Sequence, residues 1–323
     1  SNIPAAELLR YAQTILDRML FLAFAEDRNL IPASTLAKAF EHRDPYKPRP
    51  VWENFLAVFR AVDVGNAALG ILPYNGGLFK ETATLEELEL SDEICEAFKG
   101  LGEYDFSEDV SVDVLGHIFE QSISDLEQIR REVEDGTLSA PALVAASTGT
   151  QRSPSKRKVE GIFYTPPFVT SFLVRETLGQ AITEAWERAK AGRANNKKDR
   201  LATWEAYQRE LRGLRVLDPA CGSGAFLIAA FDMLAQEFDR ANRALAELSQ
   251  RQHSLFDLSR TVLNENLFGI DKSGESVEIT RLSLWLKTAK RGSKLTFINR
   301  NVRQGNNVVD DPVMDPWAFD WHK

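Results

Sequence analysis

Residues 5–29 carry apolar side chains at three- and four-residue spacings: Leu8, Leu9, Ala12, Ile15, Leu16, Met19, Leu20, Ala23 and Phe24. A stripe of that period is one buried face of a helix, and Asn29 and Pro32 supply its stop signal. Shorter helices are predicted near 35–42 and 51–62, with Pro45, Pro48 and Pro50 breaking the chain between them. Acidic helical segments follow at about 83–99 and 107–135. The second has Val114, Leu115, Ile118, Phe119, Ile123, Leu126 and Ile129 on its apolar side. Nothing here alternates with the period of two that a half-buried strand requires. Residues 1–145 are therefore expected to form an all-helical domain.

The pattern changes after residues 146–160, a small, polar and basic stretch that cannot bury a core and reads as a linker. Pro167 suits the first turn of a helix from about Phe168 to Lys190. Residues 191–212 show little apolar face before Trp204 and Leu211, and a surface helix pair or loop is expected there. Arg215-Val216-Leu217 then reads as a short strand, Gly222-Ser223-Gly224 as a tight turn, and Ala225 to about Leu234 as an apolar helix. A helical insertion is expected around 240–260. A second strand lies within Leu263 to Asp271, a helix at 275–290, and a third strand end or turn within Asn299 to Val309. Strand and helix in this succession predict βαβ units and a parallel sheet. Residues 161–323 are read as part of a doubly wound, Rossmann-like α/β domain, whose ligands bind at the carboxyl ends of strands.

The net charge of −8 speaks weakly against a nucleic-acid partner, but its distribution says more. Residues 1–150 hold 12 Lys+Arg against 26 Asp+Glu, net −14, and residues 151–323 hold 27 against 21, net +6. Opposite signs fit two domains with different surfaces. From Arg281 to Arg303 stand seven basic residues and no acidic one, which phosphate contact or a solvated helix face would equally explain. No run of 18 apolar residues suggests a membrane span, and the N-terminus has no signal-peptide pattern. Cys95 and Cys221 are expected as reduced thiols in a cytoplasm. His42, His117, His253 and His322 share no ligand spacing with them, so no metal site is expected.

Candidate chemistry concentrates at Asp218-Pro219-Ala220-Cys221-Gly222-Ser223-Gly224. The glycines permit a sharp turn that brings backbone N–H groups toward a ligand, beside a helix N-terminus that favours negative charge. A dinucleotide fingerprint needs a third glycine, where Leu227 stands, and an acid about 20 residues on. Asp271 lies 47 residues after Gly224. At a strand end it can accept both hydroxyls of a ribose, or it can cap the helix that follows.

That heptapeptide resembles the S-adenosylmethionine motif of adenine-N6 DNA methyltransferases. Phe163-Tyr164-Thr165-Pro166 resembles the family's Tyr-Thr-Pro motif, which precedes the cofactor strand and meets the methionine carboxylate. Gly269-Ile270-Asp271 with Val277-Glu278-Ile279-Thr280-Arg281-Leu282 resembles the second cofactor motif and its helix. Gly305-Asn306-Asn307 resembles the third, whose Asp or Asn reaches the adenine amino group. The resemblance implies S-adenosylmethionine as cofactor and double-stranded DNA as partner. It implies cofactor contacts from Tyr164, Thr165, Pro166, Asp218, Pro219, Ala220, Cys221, Gly222, Gly224, Asp271, Lys272, Asn306 and Asn307. Leu16 to Leu22, Asn75 to Phe79 and Leu115 to Gln121 resemble the helical region of large single-chain restriction–modification and phage-defence methylases.

The family's catalytic mark is Asn-Pro-Pro-Tyr or Asp-Pro-Pro-Tyr, whose oxygens accept from the target amino group while the aromatic stacks on a flipped-out adenine. No such tetrapeptide occurs here, and Thr165-Pro166-Pro167-Phe168 lacks the amide or carboxylate and belongs with the Tyr-Thr-Pro motif. No catalytic residue is expected in this chain, which reads as an N-terminal fragment of a longer methylase, inactive alone. The alternative is a non-catalytic DNA- or partner-binding scaffold on the same fold. The joint presence of Asp218, Gly222, Gly224 and Asp271 favours cofactor binding.

Overall fold

The computed structural model describes residues 5–73, 78–79, 83–104, 165–194, 196–249, 256–288, 298 and 300–321. The described residues fall into two compact units, one ending at Tyr104 and one beginning at Thr165. The helix expected at 107–135 and the linker at 146–160 lie outside the described residues.

In the first unit the long apolar stripe forms α1, Ala5–Asp27. Asn29 ends it in the left-handed region at φ 55, and the N–H of Leu30 reaches back to the Ala25 carbonyl at 2.9 Å. Asn tolerates that conformation at a helix terminus better than most residues. Helices α2, Thr35–Glu41, and α3, Val51–Val64, follow as expected. The single helix expected at 83–99 is instead two, α4 at Ala83–Glu86 and α5 at Asp92–Leu101. Ser91 is extended there, and Asp92 and Glu93 complement the positive end of a new helix. Trp52, Phe55, Phe59, Phe79 and Phe98 fill the core. Arg18 is buried among them, its guanidinium 5.0 Å from the Phe59 ring and its Nε donating to the Leu78 carbonyl at 2.7 Å. Burial pushes its pKa down to about 10.

The second unit opens with three helices: α6, Pro167–Lys190, α7, Lys197–Gly213, and α8, Ala225–Ser249. The charged stretch at 191–212 forms the single helix α7 rather than a pair or a loop. Asn196 caps it by accepting from the Asp199 N–H at 2.9 Å, and Thr203, Ala206, Tyr207 and Leu211 give it a buried face. That face is narrow and partly polar, which hides it from a hydrophobicity pattern. Helix α8 does not stop at Leu234, because Phe238, Ala241 and Leu245 continue its buried stripe. The first part of the expected insertion, as far as Ser249, is thus the continuation of this helix. Trp186, Trp204 and Tyr207 join the three helices, with Arg240 stacked 5.4 Å from each tryptophan ring.

Helix α9, Phe256–Thr261, runs into a π-helical turn, Val262–Asn266. Three parallel strands complete the unit in the order β1-β2-β3: β1, Val216–Asp218, β2, Leu267–Asp271, and β3, Val302–Gln304. Asp218 pairs with Gly269, and Asp271 with Gln304. Helix α10, Gly274–Thr288, joins β2 to β3 and packs on both. The unit is therefore α/β with a small parallel sheet. Two side-chain amides, of buried Asn266 and half-buried Asn301, tie the sheet to its neighbours. The Asn266 side chain donates to the carbonyls of Leu211 and Leu214, both at 2.8 Å, satisfying the end of α7. The Asn301 side chain donates to Leu263, Asn264 and Leu267, tying the π turn to β3.

Candidate functional site

The site lies at the carboxyl ends of β1 and β2. Asp218 closes β1, and its Oδ1 accepts from the Ala220 N–H at 3.1 Å, folding Asp218-Pro219-Ala220 into an Asx turn. The Cys221 N–H donates to the Ile270 carbonyl at 2.9 Å, stitching the loop to β2. Gly222 and Gly224 both take positive φ, 51 and 89. The Gly222 N–H donates to Asp271 Oδ2 at 2.9 Å, and the Gly224 N–H to the Cys221 carbonyl at 2.8 Å. Asp271 also accepts from the Ser273 N–H at 2.8 Å through Oδ1.

These bonds correct one expectation. The N–H groups of Ala220, Cys221, Gly222 and Gly224 do not wait for a ligand, because each has an acceptor inside the protein. Those four N–H groups are therefore not free to cradle a phosphate. The turn's open valence is an acceptor instead: Asp218 Oδ2 is buried and, among the described residues, unpartnered. Burial raises the Asp218 pKa and the neighbouring Asp271 adds to that, against the opposing Ala220 hydrogen bond. A buried carboxylate oxygen without a donor costs about 1–3 kcal/mol unless a ligand supplies one.

A dinucleotide fold uses its third glycine for close helix–strand packing. Here Leu227 occupies that position, fully buried, and the missing glycine is Gly269 of β2. A Cβ on Gly269 would stand 2.8 Å from Leu227 Cδ1 and 3.2 Å from Cys221 Sγ. A glycine inside a strand pattern is the sequence signal of such an approach. Cys221 itself is buried, and burial pushes its thiol up to about 12, so it stays protonated and is no nucleophile at neutral pH.

The remaining predicted residues are placed unevenly. Lys272 and Asn306 converge on Asp315, which sequence reasoning missed. Lys272 Nζ lies 3.3 Å from Asp315 Oδ2, and Asn306 Nδ2 donates to the same oxygen at 2.7 Å. The Asn306 bond, the Trp317 N–H and Lys272 together hold the Asp315 carboxyl below its ordinary value. Asn306 Oδ1 is also used, accepting from the Val308 N–H. The Asn307 carbonyl accepts from Trp321 Nε1 at 3.3 Å. Thr165 and Pro166 lead into α6, with the Pro166 carbonyl accepting from the Val169 N–H at 2.9 Å. No described contact joins them to the turn, and Tyr164 lies outside the described residues. In the basic run, Arg281 is committed to the Val302 carbonyl and Glu278, Lys287 to Asp232, and Arg303 to the Phe319 ring. Packing therefore accounts for those three. Lys290, Arg291 and Lys294 lie outside the described residues.

Asp218 yields a pH prediction. Its pKa is higher folded than unfolded, so folding takes up protons between the two values. Its contribution is then most favourable below the ordinary Asp value, near ~3.9, and is lost as pH rises through the raised folded value. The urea midpoint of the ligand-free protein should fall as pH rises through that interval, and Asp218→Asn should flatten part of the fall. Glu26 and Glu278, also raised by burial, persist in the variant, so the difference between the two curves isolates Asp218. Superimposable curves would remove the strain assigned to it.

The parallel sheet and its glycine turn stand within a chain whose similarities are to methyltransferase domains of restriction–modification enzymes. Residues 191–304 match the family described as MmeI, DNA-methyltransferase domain. The chain is 26% identical over 363 residues to a Methanocaldococcus jannaschii protein assigned as a type II restriction enzyme and methyltransferase, across 95% of this chain and 28% of that protein. It is 23% identical over 331 residues to the type II restriction enzyme and methyltransferase RM.Eco57I of Escherichia coli, across 96% of this chain and 28% of that protein. The type IIL restriction–modification enzyme MmeI, solved in complex with DNA, shares the fold with a TM-score of 0.58 at 23% identity, over 85% of this chain and 33% of that one. The chain thus spans little more than a quarter of the curated relatives it matches.

Proposed function

We propose that the second unit binds S-adenosylmethionine and that the chain serves a DNA adenine-N6 methyltransferase of a restriction–modification or phage-defence system. The acceptor character of the turn carries this reading. Two carboxylates, one with a buried open oxygen, face a loop in which the N–H groups of Ala220, Cys221, Gly222 and Gly224 are already spent. Such a site suits a ligand that brings hydrogen-bond donors and positive charge. S-adenosylmethionine has both, in its ammonium, its sulfonium and its ribose hydroxyls, and when bound it supplies an electrophilic methyl group. NAD would bring a pyrophosphate toward carboxylates, at a turn with few donors to offer.

In this reading Asp218 accepts a donor from the cofactor. Asp271 divides its oxygens between the Gly222 and Ser273 N–H groups and a ribose. Lys272, Asn306 and Asn307 border the adenine end, and Tyr164, Thr165 and Pro166 meet the methionine end. Adenine-N6 specificity rests on the motif resemblance. DNA as partner rests on that and on the relatives' names, MmeI having been solved with DNA. The scaffold alternative leaves the desolvation cost at Asp218 with no compensating donor.

Calorimetry with both ligands tests the reading. S-adenosylmethionine should bind and NAD should not. Binding of NAD alone would end the proposal, and binding of neither would favour the scaffold.

A further inference from the structure

Thr280 sits in α10 and is fully buried. A threonine inside a helix usually turns its hydroxyl back to the carbonyl four residues earlier. Thr280 instead donates to the Gly222 carbonyl, 58 residues away in sequence, at 2.7 Å. Its Oγ1 and Cγ2 also lie 2.9 Å from where a Cβ on Gly224 would stand, so it fills the space that Gly224 leaves.

Gly222 is thereby held from two directions. Its N–H is fixed by Asp271 at the end of β2, and its carbonyl by Thr280 of α10. The peptide planes on either side of a residue at φ 51 are both pinned. A left-handed turn persists only where its surroundings over-determine it. The carbonyl is part-buried, and an acceptor withdrawn from water and left unpaired is expensive.

We propose that Thr280 is a positioning residue for S-adenosylmethionine: its hydroxyl holds the Gly222–Gly224 turn in the conformation that receives the cofactor. This rests on the cofactor reading above. Thr280 touches no cofactor atom in this role and acts through Gly222. Loss of the hydroxyl leaves the Gly222 carbonyl unpaired and frees the turn to rotate, so part of the binding energy goes into re-ordering it.

The test is titration calorimetry of the intact protein with S-adenosylmethionine, alongside thermal melts. Thr280→Val keeps the shape and removes the hydroxyl, and should weaken binding about three- to tenfold. Thr280→Ser keeps the hydroxyl and should bind within about twofold of the unaltered protein. Thr280→Ala and Thr280→Ser differ only in that oxygen, so this pair decides the matter should the Val variant fail to fold. Equal affinity of the Val variant and the unaltered protein would overturn the proposal. So would equal losses in the Ser and Ala variants, which would leave Thr280 a packing residue. Absence of binding by the unaltered protein would instead overturn the cofactor reading itself.

Discussion

Gly224→Ala should be a severe change in the second unit, lowering stability by about 2–5 kcal/mol and cofactor affinity by more than about tenfold. Two independent costs add. At φ 89 any L side chain is strained, by roughly 1–2 kcal/mol. The new Cβ would also stand 2.9 Å from two atoms of Thr280, which is wholly buried and cannot swing away. Overpacking of that kind typically costs about 1–3 kcal/mol. Gly222→Ala is the control. It shares the positive φ, but its Cβ would meet nothing within 4 Å, so only the strain remains. Urea midpoints of the two variants, read beside calorimetry with S-adenosylmethionine, separate strain from collision. Equal losses in both would mean that the Thr280 contact is soft and that the turn is governed by backbone angle alone.

Much of this site was legible before any coordinates. Asp218, Gly222, Gly224 and Asp271 were visible because each demands a residue type for a local reason: a strand-end acid, two left-handed positions, and a second strand-end acid. What remained hidden were the long-range partners. Thr280 reads as one more position in an apolar helix, and nothing local tells that its hydroxyl leaves the helix for Gly222. Gly269 did carry a signal, an isolated glycine in a strand. Its meaning depends on Leu227, which took the place of the expected third glycine and required the facing strand to give way. Asp315 was invisible because its role exists only once Lys272 and Asn306 are brought to it. The donor capacity of the turn was misjudged for the same reason. The glycines were read correctly, but Asp271 claims the Gly222 N–H across a strand junction that sequence spacing does not fix.

The helical boundaries show the opposite error, in which strong local signals were read too narrowly. The periodic stripe of α1 was placed to within two residues of its observed end. The stripe that predicts α8 as far as about Leu234 continues through Phe238, Ala241 and Leu245 to Ser249. Charged residues dominate the surface of α7 and mask its helical pattern, while Asn196 at its start is a local cap signal.

Methyl transfer should be absent from residues 1–323 taken alone, even where cofactor binding is strong. Holding the methyl donor accounts for one side of the reaction. The adenine amino nitrogen must also be drawn from its stack, brought to attack distance and made more nucleophilic by acceptors. No Asn- or Asp-Pro-Pro-aromatic sequence occurs in the chain. Its one Pro-Pro pair, Pro166-Pro167, opens α6, preceded by Thr165, which has no amide or carboxylate, and followed by the exposed Phe168. Asp218 and Asp271 are engaged with the glycine turn, and Asp315 with Lys272 and Asn306. None of these is an acceptor set aside for a base. Removing one oriented polar group from an active site typically costs about a hundred- to a thousandfold in rate, and the sequence holds no Asn- or Asp-Pro-Pro-aromatic motif to supply such a set. A labelled-methyl assay on adenine-containing duplex should therefore read background for residues 1–323. The intact protein should transfer label to adenine if it carries the missing motif. Transfer by residues 1–323 alone would place the acceptors within this chain. Asn307, whose side chain has no hydrogen bond among the described residues, would then be the first residue to substitute.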